Sequence, residues 1–153
     1  MPAIISMDEF RALAGRDLAP SSWMEITQQR VQQFADATED HQYIHLDPDR
    51  ASRTPFGGTI AHGYLTLSLL PRLNAENALS PEGTAMVINY GADKVRFLAP
   101  VRVGSRIRSL QRILEVKEKS SGMWLVKTEV TVEIEHGPKP ALKAEVLCMY
   151  VVQ

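Results

Sequence analysis

The feature that most limits the fold of this chain is one strongly apolar segment, followed by a change of hydrophobic period. Residues 60–77 predict a helix whose nearly all-round apolar residues are Ile60, Ala61, Tyr64, Leu65, Leu67, Leu69, Leu70 and Leu73. A helix that is apolar on every face is normally buried. Pro71 removes one intrahelical hydrogen bond, so a kink or an early end is expected there. The segment therefore predicts a central core helix.

After this helix the apolar residues recur with period two, which is typical of strands. Four long stretches show the pattern: 85–100 (interrupted at Gly91, or two short strands), 105–119, 123–136 and 140–152. The third alternates cleanly between apolar and charged residues. In the second, the apolar residues change from odd-numbered to even-numbered positions between Ile107 and Leu110. This change predicts a β-bulge or a strong bend.

The chain before the core helix favours two shorter helices. Ser6 and Glu9 form the pattern of a capping box for a helix over 7–14 that ends at Gly15. Thr27 suits the N-cap of a helix over 28–38, after an extended stretch at 23–26. The composition of residues 39–59, rich in Asp, His, Pro and Gly, predicts irregular structure with a helical turn beginning at Pro48. Helices followed by long antiparallel strands indicate an α+β fold, in which one sheet wraps around the apolar helix. We expect one domain over residues 1–153.

Charge and cysteine content exclude several classes of function. The formal net charge is −1, so bulk charge gives no reason to expect a nucleic-acid or membrane-surface partner. The single cysteine, Cys148, permits no intramolecular disulfide and is expected to be a small buried hydrophobe. No signal peptide and no apolar stretch of about 20 residues is apparent. A cytoplasmic protein is therefore expected.

The residues that suggest chemistry are an aspartate and a histidine five positions apart, Asp40 and His45. Such a pair arises easily by chance, and an ordinary interpretation is a loop-capping aspartate beside a packed histidine. An enzyme that adds water across a polarised double bond needs a similar pair, because one group takes a proton while the other positions water or delivers a proton. A carboxylate beside an imidazole brings both toward a neutral working pH.

Gly63, in the first turn of the core helix, suggests a second requirement of that chemistry. An unpaired N–H at a helix start points outward and favours negative charge on a bound oxygen. Tight helix packing explains a glycine there equally well. For the neighbouring His62, an ordinary buried or capping histidine is favoured over catalysis.

These residues resemble the hydratase signature of the MaoC-like family. The resemblance rests on Asp40, His45, Asp47, Ala51, Phe56, Ile60 and His62-Gly63, and on the downstream segment from Lys94 to Val101 followed by Gly104. It covers nearly the whole chain and is greatest with the short, single-hot-dog branch that includes nodulation-protein-N-like proteins. It implies a hot-dog fold, with a long antiparallel sheet wrapped around the central helix.

The resemblance also implies an activity, the (R)-specific hydration of a trans-2-enoyl-CoA to a (3R)-3-hydroxyacyl-CoA. Asp40 and His45 would hold the water that adds to C3, and the Gly63 amide would polarise the thioester carbonyl. No metal or redox cofactor is implied, since CoA is part of the substrate. Such proteins work as homodimers in which two sheets join edge to edge, with the active sites at the interface.

One departure from the family pattern concerns the loop between the catalytic residues. Gln42-Tyr43 stand where the family commonly has Asn-Pro, so we expect a different loop geometry and a different substrate preference or rate. We expect Gln42, Tyr43 and His62 to contact substrate. Arg96 is a candidate for the CoA phosphates, as are Arg53 and Lys94, although each suits an outward-facing charge as well.

Two alternatives stay open at this point. A hot-dog thioesterase would place a carboxylate on or just before the central helix, and residues 60–74 contain neither Asp nor Glu. A non-catalytic acyl-CoA-binding module would gain nothing from a desolvated ionisable pair.

Overall fold

A computed structural model describes residues 2–153. In chain order its elements are β1 (Ala3–Ile5), α1 (Met7–Arg11), β2 (Met24–Glu25), α2 (Gln28–Thr38), α3 (Tyr43–Leu46), α4 (Pro48–Ala51), α5 (Gly63–Ser68), α6 (Leu70–Asn74), a 3-10 turn (Ala75–Asn77), β3 (Leu79–Pro81), β4 (Thr84–Phe97), β5 (Arg106–Ser120), β6 (Met123–Ile134) and β7 (Leu142–Val152). The predicted α+β class, with helices before long antiparallel strands, is confirmed.

The N-terminal helix α1 begins where its capping box predicts, and the strand β1 before it was not predicted. The capping box of α1 is present, because the Ser6 hydroxyl accepts from the Glu9 N–H and the Glu9 carboxylate accepts from the Ser6 N–H. The helix ends at Arg11, sooner than predicted, and the chain leaves the following turn at Gly15 with a φ of 85°. The additional strand β1 was not predicted; it pairs in parallel with β3, some 75 residues along the chain.

Helix α2 occupies its predicted span, and the Thr27 side chain accepts from the Arg30 N–H. The predicted turn at Pro48 is confirmed as α4, which Asp47 caps. The one-turn helix α3 lies in the tract that was predicted to be irregular. Four residues are too few to show a hydrophobic period, so no pattern predicts this helix.

The central apolar segment starts later than predicted. Ile60 forms an antiparallel bridge with Arg102, and the Ala61 N–H donates to the Val101 carbonyl, so the first helical residue is Gly63. The expected break is confirmed, because the helix divides at Leu69 into α5 and α6. Burial is not complete on every face: Tyr64 is 69% exposed.

The sheet has five strands in the order β2-β5-β6-β7-β4, and each neighbouring pair is antiparallel. Its inner face packs on the central segment. The core joins Leu65, Leu69 and Leu73 to buried strand residues that include Ile107, Val130, Val132 and Leu142. The sheet therefore wraps around α5–α6, as predicted.

Strand β4 is one strand of 14 residues at an edge of this sheet. Its register with β7 shifts between Asn89 and Gly91, where the sequence suggested an interruption. Large apolar side chains along it are exposed, namely Met86, Val87, Ile88, Tyr90 and Phe97. Strands β5 and β6 bury alternate residues over most of their length, whereas β4 has no fully buried residue.

The bulge predicted between Ile107 and Leu110 in β5 is wrong. The register with β6 runs without a shift from Ile107 to Ile113, and the first shift follows Ile113. The buried positions continue to alternate, but Ser109 and Gln111 occupy two of them. The apolar residues change position in the sequence because polar residues occupy inward positions. The backbone geometry does not change there.

Two smaller expectations concern Cys148 and membranes. Cys148 on β7 is half-buried, and burial raises the pKa of its thiol, so the thiol form is favoured. Across residues 2–153 no helix has both the length and the hydropathy needed to cross a bilayer.

Candidate active site

His45 is held in one orientation by three hydrogen bonds around it. Its Nδ1 lies 2.7 Å from the Ile60 carbonyl oxygen, and its own carbonyl accepts from the Gln28 side-chain amide at 2.7 Å. Gln28 is held in turn by the Thr59 hydroxyl, which donates to Oε1 at 2.7 Å. Because a carbonyl can only accept, Nδ1 carries the proton, and Nε2 of the neutral ring has a free lone pair.

The surroundings of His45 favour this neutral ring. Burial lowers the pKa of His45, and the nearby His62 lowers it further. The hydrogen bond to the Ile60 carbonyl and the charge of Asp40 act in the opposite direction without reversing the shift. At pH 7 the imidazole is therefore available as a proton acceptor.

Asp40 reaches the same place from the end of α2. Glu39 closes that helix in the left-handed region, with a φ of 60°, and turns the chain toward α3. The Asp40 carbonyl accepts from His62 Nε2 at 3.0 Å, and its carboxylate accepts weakly from the Gln42 N–H at 3.4 Å. The residue itself is exposed, so its carboxylate lies at the mouth of the site.

His62 is the third member of this group. Its ring stacks on that of His45, with centroids 3.8 Å apart and 25° between the planes, and the ring of Phe34 packs beside it at 4.9 Å. It occupies the N-cap position of α5 but makes no side-chain capping bond. Since Nε2 donates to Asp40, His62 positions the backbone of the carboxylate-bearing residue and the ring of His45.

Asp40, His45 and His62 are also the residues that could hold a metal ion, since one donor atom from each lies within 4.8 Å of the others. Each ring offers only one nitrogen for this purpose, Nε2 of His45 and Nδ1 of His62, because the other is bonded to a backbone carbonyl. The Nδ1 atom of His62 is buried and has no protein partner. The absence of a metal stays a prediction.

Gly63 begins α5 beside this group. His45 and Gly63 line the same cavity of about 250 Å³, together with Phe56, Ile60, Ala61, Thr66, Phe97, Leu98, Ala99, Pro100, Val101 and Ala141. An N–H in the first turn of a helix has no intrahelical partner. A Cβ on Gly63 would lie 3.0 Å from the Phe97 ring, so a larger residue there would require the ring or the helix start to shift by a few tenths of an ångström.

The other predicted residues lie at different distances from the cavity. Gln42 is exposed just before α3, and Tyr43 is half-buried with the Arg50 guanidinium 4.0 Å from its ring centroid. Arg96 is exposed and donates to the carbonyl of its neighbour Val95, and it is not among the residues that line the small cavity. Their contacts with substrate stay predictions.

Lys94 on β4 forms an ion pair with Glu145 on the neighbouring strand β7, with Nζ 3.6 Å from the carboxylate. This contact fits the ordinary interpretation of an outward-facing charge. Arg53 is exposed after α4. Neither residue lines the small cavity.

Sequence reasoning missed Gln28 and Thr59, which fix the backbone of His45. Their only signal was polarity, because they act through hydrogen bonds to residues 17 and 31 positions away. It also missed Phe97, whose ring closes over Gly63.

Comparison with known proteins identifies the family of this chain. The family model for the MaoC like domain matches residues 9–137, which include Asp40, His45, His62 and Gly63. The chain belongs to the MaoC-like family.

Two relatives and one solved structure show how far the likeness extends. The chain is 47% identical to 3-hydroxyacyl-thioester dehydratase Z of Mycobacterium tuberculosis, over 95% of this chain and 96% of that protein. It is 44% identical to nodulation protein N of Rhizobium leguminosarum, over 92% and 88%. The unliganded R-hydratase of Pseudomonas aeruginosa superposes with a TM-score of 0.73 at 27% identity, covering 92% of this chain and 83% of that one. The hot-dog fold predicted for this MaoC-like chain is confirmed.

Proposed function

We propose that this MaoC-like protein is a hydro-lyase that hydrates a trans-2-enoyl-CoA to a (3R)-3-hydroxyacyl-CoA and catalyses the reverse dehydration. The observation that carries the proposal is the convergence of an aspartate, a neutral histidine and a helix-start amide. Donor atoms of Asp40 and His45 lie within 4.8 Å, and His45 and Gly63 line one cavity. The names of the relatives, a 3-hydroxyacyl-thioester dehydratase and an R-hydratase, support the same class of reaction.

In the proposed reaction, Asp40 and His45 hold one water molecule. His45 Nε2 takes a proton from the water, the oxygen adds to C3, and the resulting imidazolium returns that proton to C2 on the same face. The Asp40 carboxylate orients the water and stabilises the imidazolium that forms. Dehydration runs through the same groups in the reverse order.

The negative charge that develops on the thioester oxygen needs a donor. In the proposal the Gly63 N–H binds this oxygen, because the first turn of α5 leaves that donor free and glycine admits the substrate. The mainly apolar lining of the small cavity excludes water from the reacting atoms, which strengthens this hydrogen bond.

We further propose a homodimer that forms through the β4 edge. A long edge strand with exposed apolar side chains is a liability for a monomer, because its unpaired N–H and C=O groups can pair with another chain. Phe97 belongs to this strand and also lines the small cavity, so pairing at the β4 edge would lie close to the reacting groups. The cytoplasmic location expected from the sequence forms part of the same proposal.

Crotonyl-CoA tests the reaction class directly. Loss of the absorbance of the conjugated thioester without release of free thiol is expected from hydration. Release of thiol would indicate the thioesterase alternative, and neither signal would indicate a binding module. Chiral analysis of the product checks the predicted (3R) configuration.

A further inference from the structure

The small cavity contains a polar group to which the proposed reaction gives no role. Within residues 2–153, two polar side chains line this cavity, those of His45 and Thr66, and the rest of its lining is apolar or glycine. Thr66 on α5 is only 3% exposed. An apolar side chain of the same shape would form this buried wall without the need for a hydrogen-bond partner.

The Thr66 hydroxyl is not used inside its own helix. A threonine in a helix can donate to the carbonyl four residues earlier, as Thr38 does to Phe34 at 2.7 Å. For Thr66 that carbonyl belongs to His62, and it accepts from the N–H groups of Leu65 and Thr66 at 3.0 and 3.3 Å. Within residues 2–153 the hydroxyl therefore has no hydrogen-bond partner.

The Thr66 hydroxyl is nevertheless open to the cavity. In residues 2–153, the buried side-chain atoms that lack both a partner and an accessible surface are Arg30 Nε, His62 Nδ1 and Gln111 Nε2. Thr66 Oγ1 is not one of these enclosed atoms, so part of its surface faces the cavity that the residue lines. The cavity therefore presents an accessible hydroxyl donor in an apolar wall.

Helix geometry directs this hydroxyl toward Gly63. A helical side chain leans toward the N-terminus, over the residues three and four positions before its own. For Thr66 these residues are Gly63 and His62, at the start of α5. Because Gly63 and Thr66 line the same cavity, the Gly63 N–H and the Thr66 hydroxyl are on the same side of the first helical turn.

We propose that Thr66 is a further catalytic residue, whose hydroxyl donates a second hydrogen bond to the thioester oxygen beside the Gly63 N–H. This inference rests on the proposed function, because it takes the occupant of the cavity to be the thioester. When water adds to C3, an electron pair of the C2=C3 bond moves toward this oxygen, and it returns when C2 takes its proton. A carbonyl oxygen can accept two hydrogen bonds. With one donor alone, the second lone pair would face an apolar wall while the charge develops.

Binding of two saturated CoA derivatives tests this inference without any catalysis. Butyryl-CoA carries the thioester oxygen, whereas S-butyl-CoA is the thioether of the same length without it. Both are titrated into the full-length protein by calorimetry, and the ratio of their dissociation constants measures the preference for the thioester. This preference is expected to fall by about fivefold in Thr66→Val, the effect of one net hydrogen bond. Thr66→Ser, which keeps the hydroxyl, is expected to retain it.

The matched control is Thr128→Val, which makes the same chemical change at a buried threonine on β6 that does not line the small cavity. It is expected to keep the preference. An unchanged preference in Thr66→Val overturns the inference, and so does an equal loss in Thr66→Ser. A wild-type protein that binds the thioether as tightly as the thioester also overturns it. If Thr66→Val does not fold, Thr66→Ala decides in its place.

Steady-state kinetics with crotonyl-CoA give a second readout. We expect kcat to fall by about tenfold or more in Thr66→Val, because the charge on the oxygen is greatest in the transition state. Thr66→Ser restores most of the rate, and the acid-side midpoint of kcat/KM, which His45 sets, stays in place. A loss confined to KM, or a shifted midpoint, contradicts the inference.

The two experiments separate this inference from the proposed function. Hydration by the wild type, with an unchanged thioester preference in Thr66→Val, contradicts the inference alone. A preference that Thr66→Val loses, in a protein that does not hydrate crotonyl-CoA, contradicts the proposed reaction and supports the contact between Thr66 and the thioester oxygen.

Discussion

Two aspartate–histidine pairs with the same spacing lie next to each other in this chain. Asp36 and His41 are five residues apart, as are Asp40 and His45. In the first pair His41 Nε2 contacts Asp36 Oδ1 at 2.9 Å, and the side chains are 49% and 61% exposed. In the second pair His45 is buried, and its contacts run to backbone carbonyls and to the His62 ring.

The comparison shows that equal spacing places the two histidines in very different surroundings. The His41–Asp36 hydrogen bond lowers the pKa of Asp36, but both groups face solvent, where water competes for every hydrogen bond. His45 has a fixed tautomer, a lowered pKa and a shared cavity with Gly63. The difference lies in burial and in what surrounds each histidine, and not in the spacing.

Removing each aspartate–histidine pair in turn is expected to give the largest difference in activity between them. His45→Ala and Asp40→Asn are expected to lower the turnover of crotonyl-CoA by at least about 10²-fold, the usual scale for a general acid–base group. His41→Ala and Asp36→Asn, the matched controls, are expected to stay within about twofold. Comparable losses from both pairs, in folded variants, would refute the distinction.

Gly63→Ala tests the amide and the close approach beside the buried His45. The new Cβ would lie 3.0 Å from the Phe97 ring, so the helix start or the ring must shift. We expect kcat/KM for crotonyl-CoA to fall by about tenfold or more, because oxyanion donors act only in the correct position. The control is Gly137→Ala, where a Cβ would lie 3.1 Å from Ile134 in the turn after β6, among residues that do not line the small cavity. Unchanged kinetics in Gly63→Ala would exclude a catalytic amide there.

The fold was predictable wherever hydrophobic period and local chemistry determine structure. The capping box at Ser6, the span of α2 and the break near Pro71 all follow from neighbouring residues. The start of the central helix does not, because Ile60 and Ala61 pair with residues about 40 positions downstream. The bulge predicted in β5 is wrong because periodicity cannot distinguish a bulge from polar side chains that line a cavity.

The candidate site was predictable only in part. The residues Asp40, His45 and Gly63 came from a family pattern, and the structure brings them to one place. The position of His62 relative to Asp40 could not be read from the sequence, since its partner is a backbone carbonyl and every residue has one. The same holds for the tautomer of His45, which the Ile60 carbonyl sets.

The pH dependence of stability gives a smaller test of the same contrast. The folded-state pKa of His45 lies below its unfolded value of about 6.5. As pH falls through 6.5 toward the folded pKa, the unfolded chain binds the proton first, so the protein loses stability across that window. We expect the melting temperature to decline between about pH 6.5 and 5 by a few degrees.

His45→Gln is expected to reduce this decline, whereas His41→Gln, in the exposed pair, is expected to keep it. Thermal unfolding monitored by circular dichroism at half-unit pH intervals measures both. An identical decline in wild type and His45→Gln would show that His45 is not the group responsible.

Chelation is expected to have the smallest effect. Asp40, His45 and His62 are close enough to resemble a metal site, but the proposed chemistry uses only protons and hydrogen bonds. Dialysis against EDTA should therefore leave the hydration rate unchanged. A lost rate that returns on addition of Zn²⁺ would instead assign this cluster of one exposed and two buried residues to metal binding.

The most direct test of the central claim, that His45 acts as a neutral base, is the pH profile of kcat/KM for crotonyl-CoA. If His45 is the base, kcat/KM falls on the acid side with a midpoint below the ordinary histidine pKa of about 6.5. The same midpoint is expected in His41→Ala. A wild-type midpoint at or above 6.5, or one that moves when His41 is removed, would contradict it.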